Sequence, residues 1–178
     1  MINNLFATPV LVEQLENADY LNSTLLKEAA GNYGFELFDL DTPSIFALKN
    51  YIKNRIDDMA KQYGFRYSKI TGRQNVIKPL ESDTPHHHVG KSILVGVYYA
   101  DVPPNSGDIL LHDPRGPLPW ENLNFNPDDP IATKSARCYH RVKPQNGLLL
   151  LFPGFLVHSV ETNLSNQNRI SIVLNAHY

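Results

Sequence analysis

The chain has 178 residues, 42% of them hydrophobic and 19% charged, with a net charge of −2, the balance of one globular domain long enough to bury a core. No apolar run approaches the roughly 20 residues of a membrane span, and the opening Met1-Ile2-Asn3-Asn4-Leu5-Phe6 has neither a basic nor a secretory pattern, so no membrane partner or export signal is expected and the cytoplasm is. The basic residues are scattered, nowhere denser than Arg141 and Lys143, so no nucleic-acid partner is expected; the single Cys138 excludes an internal disulfide and is read as a small, partly buried side chain rather than a nucleophile.

In chain order, Leu5 to Val12 reads as a short extended segment interrupted by Pro9, and so as an edge strand. Leu21, Leu25 and Ala29 are spaced for a helix that Gly31 could end. A second helix is better defined. Thr42 is a good N-cap and Pro43 suits the first turn. Ile45, Leu48, Ile52, Ile56, Met59 and Tyr63 recur at steps of three and four residues, and Gly64 is a stop. The stripe predicts packing against a sheet, with Lys49, Lys53, Arg55, Asp57 and Asp58 on the solvated side. The helical part therefore spans about 15–64 and a β core about 65–178, in a single domain of residues 1–178.

Phe65 to Ile70 and Asn75 to Leu80 each read as strands. Ile93 to Ala100, apolar apart from Gly96, is expected to be covered on both faces. Asp108 to His112, Leu148 to Phe152, Leu156 to Glu161 and Arg169 to Asn175 complete the set. Many short strands with Pro and Gly punctuation predict a barrel or two-sheet jelly roll rather than a parallel α/β fold. Pro114 to Arg137, with Trp120 and Phe125, lacks a period; it reads either as a cover for a pocket or as a surface excursion pinned by Trp120.

Two stretches carry chemistry. In Thr84-Pro85-His86-His87-His88, an extended backbone sets His86 and His88 on one face and His87 on the other. A His-x-His pair can chelate one divalent metal; the bland alternative is a solvated polar loop. His158 follows the Phe152-Pro153-Gly154 turn. Beyond it, Arg169, Ser171, Val173 and Asn175 share one strand face and Ile170, Ile172 and Leu174 the other. An arginine on a face with greasy neighbours needs an anion, and its planar fork suits a carboxylate. A one-residue offset in a hairpin formed about Thr162 to Asn168 would put Ser171 opposite His158 and Arg169 about 7 Å further along, a span fitting a short dicarboxylate.

The ordered set His86-His87-His88, Gly96-Val97-Tyr98-Tyr99, Asp113-Pro114-Arg115, Leu151-Phe152-Pro153, His158 and Arg169-Ile170-Ser171, with the opening Leu5-Phe6-Ala7-Thr8-Pro9, resembles the 2-oxoglutarate–Fe(II) oxygenases of bacteria and their phages. The resemblance spans most of the chain and implies a mainly β fold with helices: a double-stranded β-helix, or cupin-like jelly roll, with N-terminal helices packed on one sheet. It implies Fe(II) held by His86, His88 and His158. Arg169 and Ser171 would bind the distal carboxylate of 2-oxoglutarate, and Tyr99 and Asn75 would line its pocket. Ascorbate is an optional auxiliary, and Asp113 and Arg115 are candidates for the rim where substrate enters. The implied reaction hydroxylates a C–H bond while 2-oxoglutarate becomes succinate and CO2.

The wider superfamily usually presents two histidines and one carboxylate. Here His88 fills the carboxylate position, with Asp83 or Asp113 as alternative oxygen ligands. Lys91 is an extra residue before Ser92, and a second alignment makes His87 the first ligand with Val89 at the next position. Two rival readings stay open: a cupin-type metal protein, and a non-catalytic jelly-roll module whose histidines hold zinc. The hydroxylated substrate and the oligomeric state are not legible.

Overall fold

The period of Ile45, Leu48, Ile52, Ile56 and Met59 folds as α2 (Pro43–Tyr63), with all five side chains buried. The structure is a computed structural model that describes residues 7–30, 36–115 and 139–178. Pro43 sits in the first turn, and Gly64, at φ 71°, ends the helix in the left-handed conformation glycine tolerates. Thr42 precedes the helix but makes no side-chain cap. Glu28, at the end of α1 (Ala18–Glu28), instead accepts hydrogen bonds from the amide and hydroxyl of Ser44. A carboxylate from one helix thus meets the positive end of the next.

Among the described residues there are nine strands: β1 (Leu11–Gln14), β2 (Ile70–Ile77), β3 (Asp83–His86), β4 (Ser92–Asp101), β5 (Ile109–His112), β6 (Tyr139–Val142), β7 (Leu148–Pro153), β8 (His158–Val160) and β9 (Arg169–His177). They form two antiparallel sheets, ordered β1-β7-β4-β9-β2 and β3-β8-β5-β6. One core lies between the sheets, where Ile77, Val95, Val97, Tyr99, Leu150 and Phe152 meet Ile109, Leu111, Val142 and Val160. A second core joins the larger sheet to the helices through Leu94, Tyr98, Leu149, Leu151, Ile172 and Leu174. β4 serves both, which is why its sequence is apolar at nearly every position. The fold is the expected jelly roll with helices on one sheet.

Three local expectations are corrected. The two strands read in Phe65–Ile70 and Asn75–Leu80 are one, β2, and most of the first stretch precedes it. Gly72 looks like a break but lies inside the strand because a Cβ there would meet the Phe38 ring at 2.7 Å. Its amide, on an edge strand, donates to the Glu36 carboxylate. β3 and β6 are strands that period alone does not show. Most consequentially, β8 and β9 do not form a hairpin. β8 lies between β3 and β5, β9 lies between β4 and β2, and the 161–168 connection crosses from one sheet to the other. Asn163, fully buried, fixes that crossing by donating to the Ile77 and Gln167 carbonyls. The partners of His158 are therefore His86 and Leu111, not Ser171.

Leu5, Phe6, Gly31, Trp120, Phe125, Cys138 and the stretch 116–137 lie outside the described residues. No helix among the described residues is long and apolar enough to cross a membrane.

Candidate active site

β3 and β8 pair so that His86 and His158 stand directly opposite each other, with ring centroids 4.3 Å apart. His88 lies just past the end of β3, where its amide donates to the Gly154 carbonyl. The turn after β7 clamps this loop so tightly that a Cβ on Gly154 would meet the Ser92 carbonyl oxygen at 2.0 Å. One nitrogen from each of His86, His88 and His158 lies within 4.8 Å of the others.

The other nitrogen of each ring is engaged by an oxygen. His86 Nδ1 meets the Thr84 carbonyl at 2.8 Å, His88 Nδ1 the Asn175 Oδ1 at 2.9 Å, and His158 Nδ1 the Leu156 carbonyl at 2.9 Å. These oxygens have no proton to give, so Nδ1 donates in all three rings and the Nε2 lone pairs are left for a common target. His88 Nε2 is buried without a hydrogen-bond partner. Burial also pushes His158 down to about 4 and lowers the pKa of His88, so both rings favour the neutral form that binds metal. Three convergent imidazoles, each oriented from behind by an oxygen, are a donor set that fits Fe(II).

His87 is exposed and outside this cluster. Among the described residues no carboxylate joins it. Asp113 is taken up by Arg115, whose backbone amide, Nε and Nη2 donate to it at 2.9, 3.0 and 2.7 Å. The Arg115 guanidinium holds the Asp113 pKa below the usual range. This turn follows His112, whose amide donates to the carbonyl of Val157, next to His158.

The four residues expected at the cosubstrate lie on the facing sheet. Asn75, Ser171 and Tyr99 are register partners across β2, β9 and β4, a single row on the face turned toward the other sheet. Arg169, two residues from Ser171 on that face, is 1% exposed, and its guanidinium carbon lies 5.6 Å from the Tyr99 ring centroid. Its Nη1 donates to the Gly107 carbonyl at 3.0 Å, while its Nε and the Tyr99 hydroxyl are buried with no partner. No ion pair within 4.0 Å involves Arg169 among the described residues. Burial lowers its pKa; Tyr99 and the more distant charges of Asp83 and Asp108 oppose that. Burial likewise pushes the Tyr99 hydroxyl up to about 12.

Residue-type reasoning missed two participants. Asn175 Oδ1 accepts from both His88 Nδ1 and the Ser92 hydroxyl, each at 2.9 Å. Strand alternation had put Asn175 on the polar face of β9 but could not say what it touches. Ser106, 2% exposed beside Arg169, carries another unpartnered hydroxyl, for which the sequence held no signal.

The family model described as "Putative 2OG-Fe(II) oxygenase" matches residues 74–175, more than half of the chain. No curated protein sequence matches. Among solved structures, the chain is similar to a Pseudomonas putida prolyl-4-hydroxylase, with a TM-score of 0.67 and 13% identity over 97% of this chain and 89% of that one. AviO1 from Streptomyces viridochromogenes Tue57 gives a TM-score of 0.62 at 12% identity, covering 96% of this chain and 90% of that one. A 2OG-Fe(II) oxygenase family oxidoreductase from Burkholderia pseudomallei gives 0.53 at 14% identity, covering 78% and 60%. At such identities these likenesses show the fold alone; the family match selects among the readings the sequence left open. The chain belongs to the 2-oxoglutarate–Fe(II) oxygenase family, enzymes that use iron and 2-oxoglutarate.

Proposed function

We propose that this chain, working as one domain, hydroxylates a C–H bond of its substrate, with Fe(II) held by His86, His88 and His158 and 2-oxoglutarate spanning from that ion to Arg169. The observation that carries the reading is the buried guanidinium of Arg169, which among the described residues has no carboxylate within 4.0 Å and no partner for its Nε. Leaving such a charge unpaired in the interior costs several kcal/mol, so an anion from outside the chain is its natural counterpart.

In this reading the Nε2 atoms of the three rings bind the ion, with their tautomers set by Thr84, Asn175 and Leu156. Arg169 offers a fork to the distal carboxylate, and the free Tyr99 hydroxyl and Ser171 add hydrogen bonds at the same end. Asn75 borders the same row at the edge strand. The apolar side chains of Val95, Val97, Phe152 and Leu111 keep water from the interior and strengthen each of those contacts. A bound ferrous ion supplies activation of dioxygen, coupled to conversion of 2-oxoglutarate to succinate and CO2.

Replacing one partner of a desolvated charge pair costs about 2–5 kcal/mol. Arg169→Ala should therefore weaken 2-oxoglutarate binding by about 100-fold or more while Fe(II) affinity stays within about threefold. Equal cosubstrate affinity in mutant and parent, measured by anaerobic titration of the iron-loaded proteins, contradicts the assignment.

A further inference from the structure

Arg73 stands on the site face of β2. Its register partner is Val173, which lies between Ser171 and Asn175 on β9. It is flanked by Asn75, in the row with Ser171 and Tyr99, and by Thr71, in the row with Asn175, whose amide holds His88. β2 is the outer strand of its sheet, so this guanidinium is exposed where the space between the sheets meets an edge. Arg55, Arg115 and Arg141 are all held by carboxylates. Arg73 makes no ion pair and no side-chain hydrogen bond among the described residues.

Charge balance gives that free cation a purpose. The three proposed ligands are neutral, so a ferrous ion keeps its full double charge, which the dianionic cosubstrate offsets. In the proposed function Arg169 takes the distal carboxylate of that cosubstrate, and Asp108 is engaged by Arg141. Among the described residues, Arg73 is left without a counter-charge on the strand face turned toward the site, a position the loop cation Lys91 does not share. We infer that Arg73 receives an anionic group of the primary substrate, a carboxylate or phosphate that its planar fork can hold through two parallel hydrogen bonds. The inference rests on the proposed function and narrows it: the hydroxylated compound is an acid or a phosphate ester, with its anion anchored at the β2 edge.

The test uses the anaerobic complex of the protein with Fe(II) and 2-oxoglutarate. It is titrated with matched pairs, carboxylic acids against their primary amides and phosphate monoesters against their parent alcohols, while shifts of the visible absorption band are followed. In the parent protein, anionic members should bind at least tenfold more tightly than their neutral partners. Arg73→Gln should erase that preference and Arg73→Lys should keep part of it, with 2-oxoglutarate affinity unchanged in both. Neutral partners binding as tightly as acids, a panel in which no anion shifts the band, or an unaltered preference in Arg73→Gln overturns the inference. Weakened 2-oxoglutarate binding in Arg73→Gln also overturns it, by giving Arg73 to the cosubstrate. A parent protein that forms no band overturns the proposed function itself, and this inference with it.

Discussion

Asn175 is the residue whose task changes most between sequence and structure. In many metal sites a carboxylate or carbonyl behind the imidazole fixes its tautomer and aim. Here a side-chain amide oxygen does so for His88, the proposed ligand at the position where the wider superfamily usually has a carboxylate. If His88 binds iron, Asn175→Leu should lower Fe(II) or Co(II) affinity by about 10- to 100-fold. Asn175→Asp, which keeps an acceptor at that place, should restore most of it. Ser92→Ala, which removes only the second donor to the same oxygen, should stay near the parent value. Metal titration of the three variants checks this, and an Asn175→Leu protein with parental affinity contradicts it. The face of Asn175 was legible from strand alternation, and so was that of Arg169. A partner on another element was not, because side-chain period reports direction and not distance.

At the scale of elements, legibility followed how completely each pattern is written in local sequence. α2 carries a stripe, an opening proline and a closing glycine, so its reading matched at both ends. β4, β7 and β9 were legible from apolar runs or strict alternation. β2 was split in two because Gly72 resembles a turn until the Phe38 ring is seen lying on it. β6 (Tyr139–Val142) is a short run whose half-exposed and exposed residues leave little period to read. The β8–β9 connection was the largest error. A polar stretch between two strands reads as a hairpin turn, and only the buried Asn163 reveals a crossing between sheets. That error touched the site directly. The sequence brought Arg169 near His158 through a shared ladder, whereas the fold sets them on opposing sheets. The row of Asn75, Ser171 and Tyr99 could be named residue by residue from family resemblance, but its alignment across three strands follows from register alone.

At the scale of the whole molecule, helices back the larger sheet and the two sheets enclose a partly apolar interior whose burial favours the neutral forms of His88 and His158. That burial sets a pH dependence of stability. In the metal-free protein, His158 has a folded pKa of about 4 against an ordinary value of 6.5. As pH falls below 6.5 the unfolded chain takes up this proton before the folded one does. Stability is then lost progressively down to about pH 4 and levels off below it, a loss on the order of 3 kcal/mol. His88, also lowered by burial, adds in the same direction. Urea midpoints of the metal-free parent and of His158→Gln between pH 7 and 4 should diverge in slope, the parent being the steeper; parallel profiles contradict a neutral buried His158. The central claim, that distant imidazoles and Arg169 together hold Fe(II) and 2-oxoglutarate, is tested most directly by adding 2-oxoglutarate to the iron-loaded protein without oxygen. A visible charge-transfer band saturating at one equivalent, and missing in His158→Ala, is the predicted result. An iron-loaded parent protein that stays colourless on addition of 2-oxoglutarate contradicts it.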